Sequence, residues 1–165
     1  MSDAIDKALA DVTRELLAAC RKRRLKIATA ESCTGGLIAA CLTDISGSSD
    51  VFERGFVTYS NEAKHEALGV PAELISSEGA VSEPVARAMA EAALARSHAD
   101  LAVAVTGVAG PNGGSAQKPV GLVFMATAQR GAPTQAYKRQ FDGDRRAVRW
   151  ATVAAALQAL AERVR

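Results

Sequence analysis

Aromatic residues make up only 4% of this 165-residue chain, so large flat rings cannot dominate its interior. Hydrophobic residues still reach 48%, with Ala and Val prominent, and a core of such small aliphatic side chains lets helices lie close to a sheet. Cysteine is scarce: Cys20, Cys33 and Cys41 are an odd set with no CxxC, which is not a disulfide framework. The two histidines, His65 and His98, stand far apart, so neither a structural zinc site nor any other resident metal is expected. No charge of one sign prevails, since 20 basic residues face 18 acidic ones for a net charge of +2. That balance argues against a general nucleic-acid binder. The basic run Arg21 to Arg24 falls where a first helix should end, where cations complement the helix dipole. No apolar run approaches the ~18 residues of a membrane span. The stretch Met1 to Asp6 is charged and amphipathic, unlike a secretory leader, and together with reduced thiols it points to the cytoplasm.

What is present is alternation of helical and strand signals. Apolar residues at Ile5, Leu9, Val12, Leu16, Leu17 and Cys20 fall at helical spacing over 4–22, with Ser2 or Asp3 placed to cap the start. A short strand over 25–30 runs straight into Glu31-Ser32-Cys33-Thr34-Gly35-Gly36 and a second helix from Leu37. Val51 to Tyr59 reads as a strand, and Asn61 is placed to cap a short helix through Lys64 to Leu68. Gly69-Val70-Pro71 breaks it before another helical segment up to Ser76. Ser82 to Arg96 is a capped helix, and Leu101 to Val105 is an apolar run of central-strand type. Val120 to Ala128 and Thr134 to Phe141 form a hairpin, and residues 145–163 form the last helix. The expected fold is a single α/β domain over 1–165: three layers, α/β/α, on a mixed, mostly parallel sheet of about five strands with one antiparallel hairpin.

Ligands of such sheets bind where parallel strands end. Three strand exits here carry small and hydroxyl residues that a plain connector does not need. In the first, Ser32 precedes a helix, so free backbone N–H groups lie near its hydroxyl and can hold an oxyanion or a phosphate. An ordinary helix cap with a flexible turn accounts equally well for that loop taken alone. In the second, Tyr59 and Lys64 leave a strand for a helix. A lysine in a dry pocket loses proton affinity and can act as a base toward a serine, although most lysines are surface residues. The third, Thr106 to Pro111 with Gly107 and Gly110, looks like a ligand-contacting loop or a mobile surface loop. A fourth segment places Arg145, Arg146 and Arg149 at a helix start, where they suit a phosphate or a solvated face. Cys33 adjoins Ser32, but nothing beside it in sequence depresses a thiol pKa, so Ser32 is the favoured nucleophile.

The ordered set Thr29 to Gly36, Gly47-Ser48-Ser49, Val57 to Asn61, Lys64, Leu68-Gly69-Val70, Gly79 to Ser82, Ala99-Asp100, Thr106 to Pro111, Lys118 to Gly121 and Phe141 to Arg145 resembles the CinA C-terminal domain family of nicotinamide-nucleotide amidohydrolases. The match covers almost the whole chain, with Ser46 standing where the family often has proline. The resemblance implies hydrolysis of nicotinamide mononucleotide to nicotinate mononucleotide and ammonia, in pyridine-nucleotide recycling. It also implies no cofactor or metal, and a homo-oligomer built from dimers. Ser32, Tyr59, Lys64 and Thr106 fall at the family's active-site positions. Glu31, Cys33, Thr34, Gly35, Gly36, Gly107, Gly110 and Arg145 are the expected substrate contacts, with Arg145 toward the phosphate. The expected partner is thus a small nucleotide, not a nucleic acid or a membrane. A rival reading keeps the nucleotide but drops the chemistry, making the domain a sensor for a competence or DNA-damage response.

Overall fold

The computed structural model describes the backbone of residues 3–165 and the side chains from residue 7 onward. In chain order the elements are α1 (Asp3–Arg23), β1 (Ile27–Glu31), α2 (Leu37–Thr43), β2 (Phe52–Val57), α3 (Asn61–Leu68), α4 (Ala72–Glu78), α5 (Glu83–Ala95), β3 (Leu101–Gly107), β4 (Leu122–Gln129), β5 (Ala132–Gln140) and α6 (Arg145–Val164). A single 3₁₀ turn at Ser48–Asp50, absent from the sequence reading, leads into β2. The cap expected at Ser2 or Asp3 lies outside the described side chains.

The five strands form one sheet in the order β2-β1-β3-β4-β5. β1 lies between β2 and β3 and pairs in parallel with both. β4 runs antiparallel to β3 as well as to β5, so the hairpin joins the sheet through a second antiparallel contact. Strand periodicity divides the core into two unlike halves. Toward α1, α2 and α6 point the larger residues Ile27, Leu101, Val103, Val105, Val123 and Met125, which meet Leu16, Leu17, Ile38, Leu157 and Leu160. Toward α3, α4 and α5 point Ala28, Ala30, Ala102, Ala104, Ala126 and Ala128. Against that flat alanine face α5 sets its own Ala86, Ala90 and Ala93 with Met89. Here the poverty in aromatics takes physical form: one helix layer lies close on a methyl-lined sheet.

Caps fix the helix starts. Ser82 Oγ accepts the Val85 N–H, and Asp144 accepts the Ala147 N–H at 2.8 Å. At α3 the cap is Ser60, whose Oγ accepts the Ala63 N–H at 3.0 Å, and not Asn61 as expected; Asn61 is the first helical residue. Each such cap is worth about 1 kcal/mol. No helix among the described residues is long and apolar enough to cross a membrane.

The route of the chain creates the site. After β1 the chain turns into α2 on the large-residue face, whereas after the neighbouring β2 it turns into α3 on the alanine face. Adjacent strand ends that diverge to opposite faces leave a crevice between them.

Candidate active site

Ser32 follows β1 directly, Lys64 sits on α3 just after the β2 exit, and Thr106 is the penultimate residue of β3. All three line one cavity of about 510 Å³, within the ~300–1,000 Å³ of small-molecule sites. Cys33, Tyr59, Gly107, Gly110 and Arg145 also line it, as does Asn61. A larger groove of about 700 Å³ runs between α1 and α6, but apolar side chains such as Val12, Leu16 and Trp150 dominate it and it holds no nucleophile. Chemistry, not size, selects the smaller cavity.

Lys64 is the largest fully buried side chain of the described residues, only 1% exposed. Its Nζ lies 3.0 Å from Ser32 Oγ, 2.9 Å from the Thr58 carbonyl oxygen and 3.4 Å from that of Tyr59. Among the described residues no carboxylate lies within ion-pair distance of it. Burial therefore lowers its pKa from the ordinary 10.5, opposed only by a weaker electrostatic influence of Cys33. The Cys33 thiol is pushed up to about 11, chiefly by burial. A thiol with that pKa carries almost no thiolate near neutrality, so the neighbouring serine is the better-placed nucleophile.

Tyr59 is half-exposed at the cavity mouth, and its hydroxyl accepts from Arg145 Nη2 at 2.7 Å. Arg145 Nη1 donates to the Gly110 carbonyl at 2.9 Å, so this arginine ties the β2 exit to the glycine loop after β3. The Thr106 hydroxyl donates to the Ala80 carbonyl at 2.8 Å and makes no bond to Ser32.

Three expected substrate contacts are placed elsewhere, and the fourth, Thr34, has its hydroxyl on Glu31 and only its backbone amide, joined to Cys33, left for a ligand. Glu31, Thr34, Gly35 and Gly36 lie outside the cavity lining. Glu31 is completely buried, and its carboxylate accepts from the Thr34 hydroxyl at 2.6 Å and from the N–H groups of Gly36, Ile38 and Ala39 at 2.9–3.0 Å. It fills the N-terminal end of α2, so that helix end is not open to a substrate anion. The Gly35 N–H is bonded to the Ser32 carbonyl at 3.0 Å. Of the turn amides, only those of Cys33 and Thr34 have no backbone or carboxylate acceptor. The oxyanion donors expected across Cys33 to Gly36 thus narrow to these two, because Gly35 and Gly36 are already engaged.

Sequence reasoning named Arg149 only as one of three arginines at a helix start suited to a phosphate or to solvent; its Nε and Nη2 instead donate to the carbonyls of Cys33 and Thr34 at 3.2 and 2.8 Å. It gave Asn61 only a capping role. The signal for Asn61 was its place at a strand exit. For Arg149 it was the position one helical turn after Arg145 on α6.

A mixed α/β sheet with a polar cavity over the carboxyl ends of its parallel strands, a serine and a buried lysine facing each other inside, defines an α/β protein with an enzyme-type small-molecule site. The chain belongs to the CinA C-terminal domain family, whose model matches residues 9–164. Nicotinamide-nucleotide amidohydrolase PncC of Enterobacter agglomerans is 50% identical to it, with 93% of each chain covered. A CinA-like protein of Akkermansia muciniphila is 58% identical over 76% of this chain, but this chain spans only 30% of that relative's length. Among solved structures, competence/damage inducible protein CihA from Agrobacterium tumefaciens superposes with a TM-score of 0.90 at 50% identity, covering 92% of this chain and 93% of its own.

Proposed function

We propose that this chain is an amidohydrolase that removes the carboxamide nitrogen of nicotinamide mononucleotide, with Ser32 as nucleophile and Lys64 as its base. The observation that carries the reading is the 3.0 Å contact of Lys64 Nζ with Ser32 Oγ, made by a buried lysine with no carboxylate partner among the described residues. A neutral amine has two hydrogens and one lone pair. Once neutral, Lys64 can give its hydrogens to the carbonyls of Thr58 and Tyr59 and turn its lone pair to the Ser32 hydroxyl, whereas the ammonium form donates to all three oxygens. Burial with no anionic partner favours that neutral form. A pure binding module gains nothing from burying an unpaired amine beside a hydroxyl.

In the proposed sequence the Lys64 amine takes the Ser32 proton as Oγ bonds to the carboxamide carbon. The amides of Cys33 and Thr34 hold the resulting oxyanion, and donors of this kind are typically worth about 3 kcal/mol each. The C–N bond breaks, the leaving nitrogen takes the proton from Lys64, and ammonia departs. Water then attacks the acyl ester while Lys64 takes its proton. The C–Oγ bond breaks, the proton returns to Ser32, and nicotinate mononucleotide leaves. Arg145 spends two of its five guanidinium hydrogens on Gly110 and Tyr59, and the others are open to the substrate phosphate at the cavity rim. The names of the PncC relatives support the nucleotide carboxamide as substrate. Recycling of pyridine nucleotides is the role that this reaction would serve.

The test is ammonia release from nicotinamide mononucleotide, nicotinamide, the riboside and the dinucleotide. The mononucleotide should be preferred, and Ser32→Ala should release no ammonia while staying folded. Binding of the mononucleotide without ammonia would instead make the domain a sensor.

A further inference from the structure

The turn that carries Ser32 is held by two opposite charges on its two sides. Most polar backbone groups of the turn have a partner. On the donor side, Glu31 takes the N–H groups of Gly36, Ile38 and Ala39. Ser32 N–H goes to Val105 O, and Gly35 N–H to Ser32 O. On the acceptor side, Arg149 lays Nε and Nη2 along the successive carbonyls of Cys33 and Thr34. What remains is the pair of amides that the acyl-transfer scheme needs.

We propose that Arg149 is a positioning residue that aims and polarises the oxyanion donors of this turn. The reasoning begins with the planarity of the peptide bond. In a trans unit the C=O and the N–H point in opposite directions. The Cys33 carbonyl and the Thr34 N–H belong to one such unit. Holding that carbonyl against Arg149 turns the Thr34 N–H to the other side. The next unit, Thr34–Gly35, is fixed twice, by Arg149 on its carbonyl and by Ser32 on its N–H. Gripped by Arg149, the turn is denied the peptide flip that would swing the Thr34 N–H away from a developing negative charge. A guanidinium on the carbonyl also draws electron density through the amide, making the opposite N–H a stronger donor as charge grows. The planar fork suits this task because it spans two carbonyls in fixed geometry, which a lysine cannot do.

Arg149 reaches the turn from α6, at a sequence separation of 115 from Thr34. It also lines a cavity of about 690 Å³ with Arg145 and Arg146, so truncating it opens a space that a small cation can enter. The proposal rests on the acyl-transfer reading of Ser32, and its test does not require the nicotinamide substrate. The probe is acylation of Ser32 by p-nitrophenyl acetate, followed as a burst of p-nitrophenolate, beside ammonia release from nicotinamide mononucleotide.

In Arg149→Met both the acylation rate and kcat should fall about 10- to 100-fold, less than the ~100- to 1,000-fold of losing an oxyanion donor outright. KM should stay within about 2-fold, because the interaction matters in the transition state and not in ground-state binding. Methylguanidinium should restore part of the acylation rate, and ammonium at equal ionic strength should not. Arg149→Lys, which keeps the charge but loses the fork, should fold and still acylate slowly. It carries the test alone if the methionine variant does not fold. Normal acylation in these variants overturns the proposal. So does a rise in KM with kcat intact, which would make Arg149 a substrate contact. A rate loss that merely tracks a lower melting temperature, without guanidinium rescue, also overturns it. Normal acylation kinetics in the wild type with no ammonia from the mononucleotide would sink the substrate reading and leave this one standing.

Discussion

Lys64→Met should make the protein inactive and, relative to wild type, progressively more stable as the pH falls. Methionine keeps the length and apolar stem of lysine but removes its base and its charge. On activity, general-base assistance is worth about 10²- to 10⁴-fold, so ammonia release should drop at least about 10³-fold, or ~4 kcal/mol of barrier. On stability two effects oppose one another. The Thr58 carbonyl loses the donor at 2.9 Å, which costs about 1–3 kcal/mol. Against this, the variant no longer has to strip or bury a charged amine. The sign follows from proton counting. Burial lowers the folded pKa of Lys64 below its ordinary 10.5, so between these two values the unfolded chain binds a proton that the folded chain does not. Wild-type stability therefore rises with pH through that window and is lowest below the folded pKa. The variant lacks this dependence. The difference between the two should shift toward the variant as pH is lowered from about 10, at ~1.36 kcal/mol per unit inside the window. Urea unfolding of both proteins from pH 6 to 10 measures it. A flat difference would mean that the folded pKa of Lys64 is not depressed, and surviving ammonia release would remove Lys64 as the base. Wild-type kcat/KM should rise with pH through the same folded pKa.

Three further outcomes follow from contacts elsewhere. Glu31→Gln replaces an acceptor of four hydrogen bonds by an amide whose NH₂ must face donors, so unfolding in urea should show a loss of about 3 kcal/mol. Tyr59→Phe removes only the bond from Arg145, since Lys64 meets the Tyr59 carbonyl and not its hydroxyl; kcat should change by less than about 10-fold. A larger fall would make the hydroxyl a proton carrier. Gly121→Ala should cost about 2 kcal/mol or more in a denaturant titration, because φ is +91° there and a Cβ would run into the Phe141 carbonyl.

Much of the fold is legible because its signals are local. Hydrophobic runs bounded by glycine and capping serines mark the elements, and their α/β order brings the exits of β1, β2 and β3 to one end of the sheet. That is why Ser32, Lys64 and Thr106 can be grouped before any coordinates are consulted. The Asn61 cap misses by one residue because Ser60 and Asn61 are both good caps, and only the backbone angles of Ser60 decide between them. The antiparallel pairing of β3 with β4 is set by the long loop between them, for which no short turn motif speaks. Glu31, expected at the substrate through the family resemblance, lies outside the cavity lining and under the start of α2. Strand alternation held the better clue. If Ala28 and Ala30 face one layer, Glu31 shares the face of Ile27 and points beneath α2. Local pattern marks Arg149 as a helix-start arginine but not its contacts, since its partners are backbone carbonyls far away in sequence.

The buried Glu31 also constrains where the substrate's negative charge can rest. A helix start is the usual place for a phosphate, and α2 begins beside Ser32. In this chain a carboxylate already occupies that start, and a second anion there would meet repulsion at close range in a dry site. In the proposed reaction the phosphate would then lie toward Arg145 on the cavity rim; Arg145, Arg146 and Arg149 all stand at the beginning of α6. Cations at a helix start are ordinarily unfavourable. Two of these three offset that cost by donating to loop carbonyls, Arg145 to Gly110 and Arg149 to Cys33 and Thr34. The acidic residue under one helix and the basic residues on the other thus form one device. In the proposed reaction it would keep anions off the nucleophile's turn, draw them to the Arg145 rim, and leave the carboxamide end of the nucleotide facing Ser32.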